Sequence, residues 1–271
     1  MTKNQVALLV FACDRYQFLY KGFEYTFHKY WNKKVDLNYY FSTENSDLKV
    51  KGFKMLKSGA GPWTNRLKKV LQCINEEYVI FLQEDMWMNR TYNAQALEEL
   101  LNYALEKQFD LVKLHSTPSY KTIPTGNTFS DLDLFELDKK TSKFLMSHQV
   151  SLWKKEFLTQ NLPDNEDPWM NEHKGTKRLK KTDASIYQID LLQVNDLGPG
   201  QGSYKTVSYD AVIAKEATIF FDEMAKEYPE YVERMKFNLE NQITHDGNPK
   251  PRVKGLLNKV KRELRYHLGK F

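Results

Sequence analysis

The sequence predicts an α/β protein: a central, mostly parallel sheet flanked by helices, closed by a basic helical tail. Three observations carry this. The apolar run over residues 6–12 is continuous, as expected of a strand covered on both faces. Strand-like and helix-like segments then alternate through the first 115 residues, the pattern of β-α-β units. Finally, the apolar run over 78–82 ends in Gln83-Glu84-Asp85, which places charge at the carboxyl edge of a parallel sheet, where α/β folds bind ligands.

Taken in order, residues 16–31 carry Phe18, Phe23, Phe27 and Tyr30 at helical spacing, and 35–42 alternates as a second strand. Gly59-Ala60-Gly61-Pro62 precedes Leu67, Val70, Leu71 and Ile74 on one face, so a helix is expected over 63–74, starting near Pro62. Residues 94–107 read as a helix and 110–114 as a strand. Beyond this the order loosens: strands over 132–138, 143–153, 184–194 and 207–215, a short helix over 168–174, and helical pattern over 221–240. The expected organisation is one domain over 1–248, with a first half to about residue 115 and a second over 116–248, and a tail over 249–271.

With 41% hydrophobic residues, 12 Gly and 9 Pro in 271 residues, the chain is long and apolar enough to bury a core, and disordered or collagen-like classes are excluded. The two cysteines, Cys13 and Cys73, suffice for neither a disulfide framework nor a four-cysteine zinc site, and read as buried free thiols in a reducing cytoplasm. No run approaches the roughly 18 apolar residues of a spanning helix. The N-terminal run is read as a first strand rather than a signal, because Phe11 stands where a lipobox needs a small residue. The net charge of +5 is uneven: residues 250–271 hold eight Lys/Arg and one Glu, a net of +7, leaving −2 for the rest. A basic nucleic-acid-binding body is thereby excluded. In the tail, Leu257, Val260, Leu264, Leu268 and Phe271 recur every three or four residues with cations largely off that stripe. This fits either a docked C-terminal helix or a peripheral contact with an anionic membrane or phosphate-bearing glycan carrier.

Adjacent carboxylates at a strand's carboxyl edge repel unless a cation or donor-rich ligand lies between them, and a divalent metal carrying a diphosphate is one solution. The other reading is that Asp85 only caps the turn. The literal Asp131-Leu132-Asp133 follows a polar stretch and alternates like a half-exposed strand, so a solvated face is expected there. Gly198-Pro199-Gly200-Gln201-Gly202 does not join the first strand to its helix, and is read as a loop near a second substrate rather than a phosphate cradle.

Together, Cys13-Asp14-Arg15-Tyr16, Trp63-x-x-Arg66-Leu67 and the run from Tyr78 to Asp85 resemble the nucleotide-sugar half of GT-A glycosyltransferases of bacterial and viral surface glycans. His148-Gln149-Val150-Ser151-Leu152-Trp153 and Asp167-Pro168-Trp169-x-x-Glu172-x-x-Gly175 resemble the acceptor half, so that the resemblance runs over roughly residues 5–220. It implies a Rossmann-like GT-A fold, a UDP- or GDP-linked sugar donor, a glycan hydroxyl as acceptor, and a cytoplasmic enzyme. Donor binding is implied at Asp14, Arg15, Tyr16, Trp63, Arg66, Glu84, Asp85, His148 and Gln149. Asp14 would accept from base or ribose, Tyr16 or Trp63 would stack on a ring, and Arg66 would pair with phosphate or base; core packing or surface pairing are the alternatives.

In this family a D-x-D motif holds the metal and diphosphate. Here Gln83 replaces the first acid and Asp85 alone keeps the metal-binding place, so Mn²⁺ or Mg²⁺ would be held mostly through phosphate and water, or Lys and Arg would replace it. An inverting transfer needs a carboxylate base, for which Asp167 and Glu172 are the candidates, Asp167 being equally a helix cap. His245 is a further candidate for the diphosphate. Two alternatives stand beside this reading: a nucleotidyltransferase, which would need two close metal-binding acids, and a glycan-binding module without catalysis.

Overall fold

The computed structural model describes residues 4–31, 35–117, 119–193, 204–206 and 215–241. The chain divides into two compact units, 1–205 and 206–271. The first is built on a nine-stranded mixed sheet in the order β3-β2-β1-β4-β9-β6-β10-β8-β7. Its strands are β1 (Val6–Phe11), β2 (Asn38–Thr43), β3 (Lys54–Lys57), β4 (Tyr78–Leu82), β6 (Leu111–His115), β7 (Thr122–Phe129), β8 (Leu132–Leu137), β9 (Ser151–Lys154) and β10 (Ile186–Gln193), with the short β5 (Met86–Met88) outside it. Seven run one way, and β9 and β8 are reversed.

The apolar run of β1 is fully buried because helices cover both faces. Ala7, Leu9 and Phe11 join Val79, Phe81, Leu111 and Trp153 beneath α2 (Trp63–Gln72), α4 (Lys155–Gln160) and α5 (Pro168–Leu179). The alternate residues face α1 (Tyr20–Tyr30) and α3 (Ala94–Lys107): Phe23 meets Phe41 at 5.8 Å between ring centroids, and the Tyr78 hydroxyl donates to the Ala104 carbonyl at 3.5 Å. In the second unit a 3₁₀ turn, Lys215–Phe220, leads into α6 (Phe221–Met224) and α7 (Pro229–Glu240).

Several expected elements change. The helix expected over 16–31 opens with a 3₁₀ segment, Asp14–Leu19, and becomes α-helical at Tyr20. Only the end of the 143–153 segment is a strand, since residues 143–150 approach the sheet edge irregularly. The helical pattern over 221–240 breaks before Pro229, whose ring cannot continue a helix. The strand β7 falls where only a polar stretch was read. It is an edge strand, exposed along most of its length and tolerant of Pro124. Asp131 tops the β7–β8 hairpin with φ +73°, and both it and Asp133 are exposed, as expected of a solvated face. Cys13 is half-buried, and Cys73 is exposed rather than buried because it caps the end of α2. Residues 207–214 of the strand expected over 207–215, the glycine loop, His245 and the 249–271 tail lie outside the described residues, while Lys215 opens the 3₁₀ turn.

One close approach fixes α1 against β5. Gly22 lies against Trp87, and a Cβ there would come within 2.0 Å of the indole. Gly22→Ala is therefore expected to cost about 1–3 kcal/mol, the usual range for overpacking, read as a lower denaturant midpoint with unchanged m-value.

Candidate functional site

The strand ends gather the candidate residues at the carboxyl edge of the sheet. Parallel β1, β2 and β4 finish side by side and deliver Cys13-Asp14, Glu44 and Gln83-Glu84-Asp85. Because β9 is antiparallel to β4, its beginning, not its end, lies at this edge, and so brings His148 and Gln149 there. The His148 peptide joins both sides: its carbonyl accepts from Gln83 Nε2 at 3.3 Å, and its N–H donates to Glu172 Oε1 at 2.7 Å. Helices α2 and α5 begin at one joint, where Thr64 and Glu166 exchange hydrogen bonds and Asn165 N–H donates to Asn65 Oδ1 at 2.8 Å.

Asp14 departs from its expected role. Its carboxylate accepts three backbone N–H groups, from Glu44 (2.8 Å), Asn45 (2.7 Å) and Ser46 (2.8 Å), and is taken up in ordering the turn after β2. Arg66 likewise lies inside the protein. It is 3% exposed, pairs with Glu44, donates to the Ala12 carbonyl at 3.4 Å and sits over the Phe11 ring, so it braces strand ends instead of facing outward. Glu44, which the sequence reading did not single out, is the hub, accepting also from the Asp14 N–H and the Cys13 thiol. Trp63 is half-buried, edge-on to Phe11 at 5.5 Å and 4.4 Å from the His148 ring. Arg15 is exposed, with its guanidinium 5.9 Å from the half-buried Tyr16 ring. Gln149 is also half-buried.

Glu84 and Asp85 are both buried. Burial, then mutual repulsion, pushes Glu84 well above the carboxylate range, and burial raises Asp85 to about 7. Glu84 accepts the Cys13 N–H at 3.3 Å, whereas Asp85 Oδ1 has no hydrogen-bond partner among the described residues. This edge is therefore short of positive charge. No group of three or more His, Cys, Asp and Glu side chains among the described residues forms a metal cage. One orphaned carboxylate oxygen beside a second acid does fit a divalent ion that takes most of its ligands from a diphosphate and water.

Asp167 caps α5, accepting from the Met170 N–H at 2.7 Å, and is exposed. The buried acid beside it is Glu166, held by both Arg178 nitrogens at 3.1 Å and by Asn171 at 2.8 Å. Glu172, one turn on, is half-buried, and burial raises its pKa. A hydrogen-bond chain lies behind it. His115 Nδ1 faces the Val150 carbonyl at 3.1 Å and must carry the proton, so Nε2 accepts from the Tyr120 hydroxyl at 2.8 Å, which accepts in turn from Ser147 at 3.3 Å. His148 Nε2 faces Asn171 Oδ1 at 2.9 Å; its Nδ1 has no partner among the described residues. Sequence patterning could not find this chain, because single histidines within apolar runs carry no spacing signal.

No family model matches the chain, and no curated protein is similar to it. Among solved structures the chain is similar to S. aureus TarS. The match to TarS 1–349 has 12% identity and a TM-score of 0.48, covering 88% of this chain and 71% of that one. The longer TarS structure matches at 12% identity and a TM-score of 0.47, and the chain spans only 43% of it. A cytidylyltransferase from Leptospira borgpetersenii matches at 11% identity and a TM-score of 0.42, over 84% of this chain and 96% of that one. Identities and scores this low leave function to be argued from the site itself.

Burial holds His115 and His148 neutral, pushing both pKa values down to about 3. The unfolded chain binds protons at these positions below about pH 6.5 and the folded chain does not, so their stabilisation is present above that pH and is lost as pH falls towards 3. Each is expected to weaken the fold by about 1.4 kcal/mol per pH unit in this window. The raised pKa values of Glu84 and Asp85 act in the opposite direction, so the check is differential. Urea unfolding of His115→Gln between pH 6.5 and 4 should show a shallower loss than wild type.

Proposed function

We propose that this chain is a glycosyltransferase that moves a sugar from a UDP- or GDP-linked donor to a glycan hydroxyl with inversion. The observation that carries the reading is the buried Asp85 Oδ1, without a hydrogen-bond partner among the described residues, beside Glu84 after β4, with a further, half-buried carboxylate, Glu172, tethered to the same edge through His148. A nucleotidyltransferase would need both acids of β4 for metal ions. Here Glu84 is engaged by the Cys13 N–H.

On this reading Asp85 would hold Mn²⁺ or Mg²⁺ together with the diphosphate, an ion that would neutralise the leaving group. Trp63 and Tyr16 flank the nucleotide with half-buried ring faces. Glu172 takes the proton of the acceptor hydroxyl as that oxygen attacks the anomeric carbon, and the bond from that carbon to the diphosphate breaks on the opposite face, inverting the centre. Burial raises the Glu172 pKa and so strengthens it as a proton acceptor. The His148 N–H fixes one of its oxygens. No described helix is long and apolar enough to cross a membrane. The basic 250–271 segment makes peripheral attachment part of this proposal.

The test is hydrolysis and transfer across a panel of UDP- and GDP-sugars, with and without EDTA. Asp85→Asn is expected to abolish donor turnover while keeping the fold, and Asp131→Ala to leave turnover unchanged. Glu172→Gln should lose about 10²-fold or more in transfer at unaltered donor affinity. Near-normal turnover in folded Asp85→Asn sinks the assignment.

A further inference from the structure

Lys113 occupies the middle of β6, paired in register with Ser151 of β9 and Gln188 of β10. It is completely buried, in a strand whose other residues are mostly apolar. Its Nζ has no hydrogen-bond partner among the described residues and lies 4.8 Å from the centre of the Tyr120 ring. A buried ammonium without an acceptor is costly, and Leu or Met would pack there without that cost. Its surroundings lead to one place. The Tyr120 hydroxyl bonds Ser147, the adjoining His148 N–H bonds Glu172, and Glu172 is the carboxylate that acts on Lys113. The other titratable groups around it are His115 on its own strand, His148 ahead of β9 and Tyr120 ahead of β7; both histidines are neutral, and a charged imidazole would only repel the ammonium.

We propose that Lys113 is a positioning residue for Glu172, its buried ammonium serving as the counter-charge that keeps the Glu172 carboxylate ionised as proton acceptor; this rests on the function assigned above. The two groups then titrate as a pair. Removing the cation raises the carboxylate pKa, and removing the carboxylate lowers that of the lysine, which burial has already brought down to about 7. Lys113 takes no part in bond making.

The experiment uses the full chain labelled with ¹³Cε-lysine, the Lys113 resonance being assigned from its absence in Lys113→Met. In wild type it should titrate near neutrality, and in Glu172→Gln at least half a pH unit lower. In sugar transfer, Lys113→Met should move the acidic limb of kcat/KM up by about one pH unit, a tenfold loss at the foot of that limb, with the donor KM unchanged. A Lys113 titration that does not respond to Glu172→Gln overturns the pairing whatever the activity. Normal coupling in a wild-type protein that transfers no sugar overturns the catalytic reading and leaves a purely structural charge coupling. A Lys113→Met profile coincident with wild type overturns the positioning role alone.

Discussion

The antiparallel placement of β9 between β4 and β6 is the constraint on which the rest of the site depends. In an all-parallel sheet, every strand begins at the amino edge, and residues 148–150 would lie far from the end of β4. Reversal brings the start of β9 to the carboxyl edge, where one peptide, that of His148, spends its carbonyl on Gln83 and its N–H on Glu172. The end of β4 and the start of α5 are thus registered through backbone groups, which do not vary with side-chain identity. The shared joint between Thr64 and Glu166 gives α2 and α5 the same kind of registration.

Charge is distributed unequally around this frame. Half-buried Glu44 is paired with Arg66 and buried Glu166 with Arg178, and both acids brace loops. Among the described residues Asp85 has no comparable partner, and Glu84 has a backbone N–H instead of an ion pair. Removing one partner of a buried pair usually costs several kcal/mol. An unpaired site is therefore unfavourable when empty and gains most from a cationic ligand. That contrast sets Asp85 apart from the carboxylates that brace loops, which sequence position alone does not.

The sheet was legible where periodicity was strong. The runs over 6–12 and 78–82 are buried strands because both faces are covered, and helix 94–107 is found at its expected bounds. Edge strands escaped, since β7 buries little and so has no apolar alternation to read. At the site, Trp63, Glu84, Asp85, His148 and Glu172 were identifiable as one neighbourhood from short motifs. The roles of Asp14 and Arg66 were not, because their partners at 44–46 come from a strand end 30 residues from Asp14 and 22 from Arg66, in a segment without a motif. Asp167 carries the sequence marks of a cap and is one. Lys113 resembles any interruption of an apolar strand until Tyr120 and Glu172 are placed around it.

The β7–β8 hairpin has a practical consequence. Ser130 and Asp131 adopt left-handed backbone conformations at an edge of the sheet, whereas the candidate site lies at the ends of β1 and β4 in its interior. Exposed turns of this kind are where chains accept new sequence without unfolding. A fluorescent or affinity module spliced between these two residues would ride on the far strands, and would report on the protein's whereabouts without touching the candidate site.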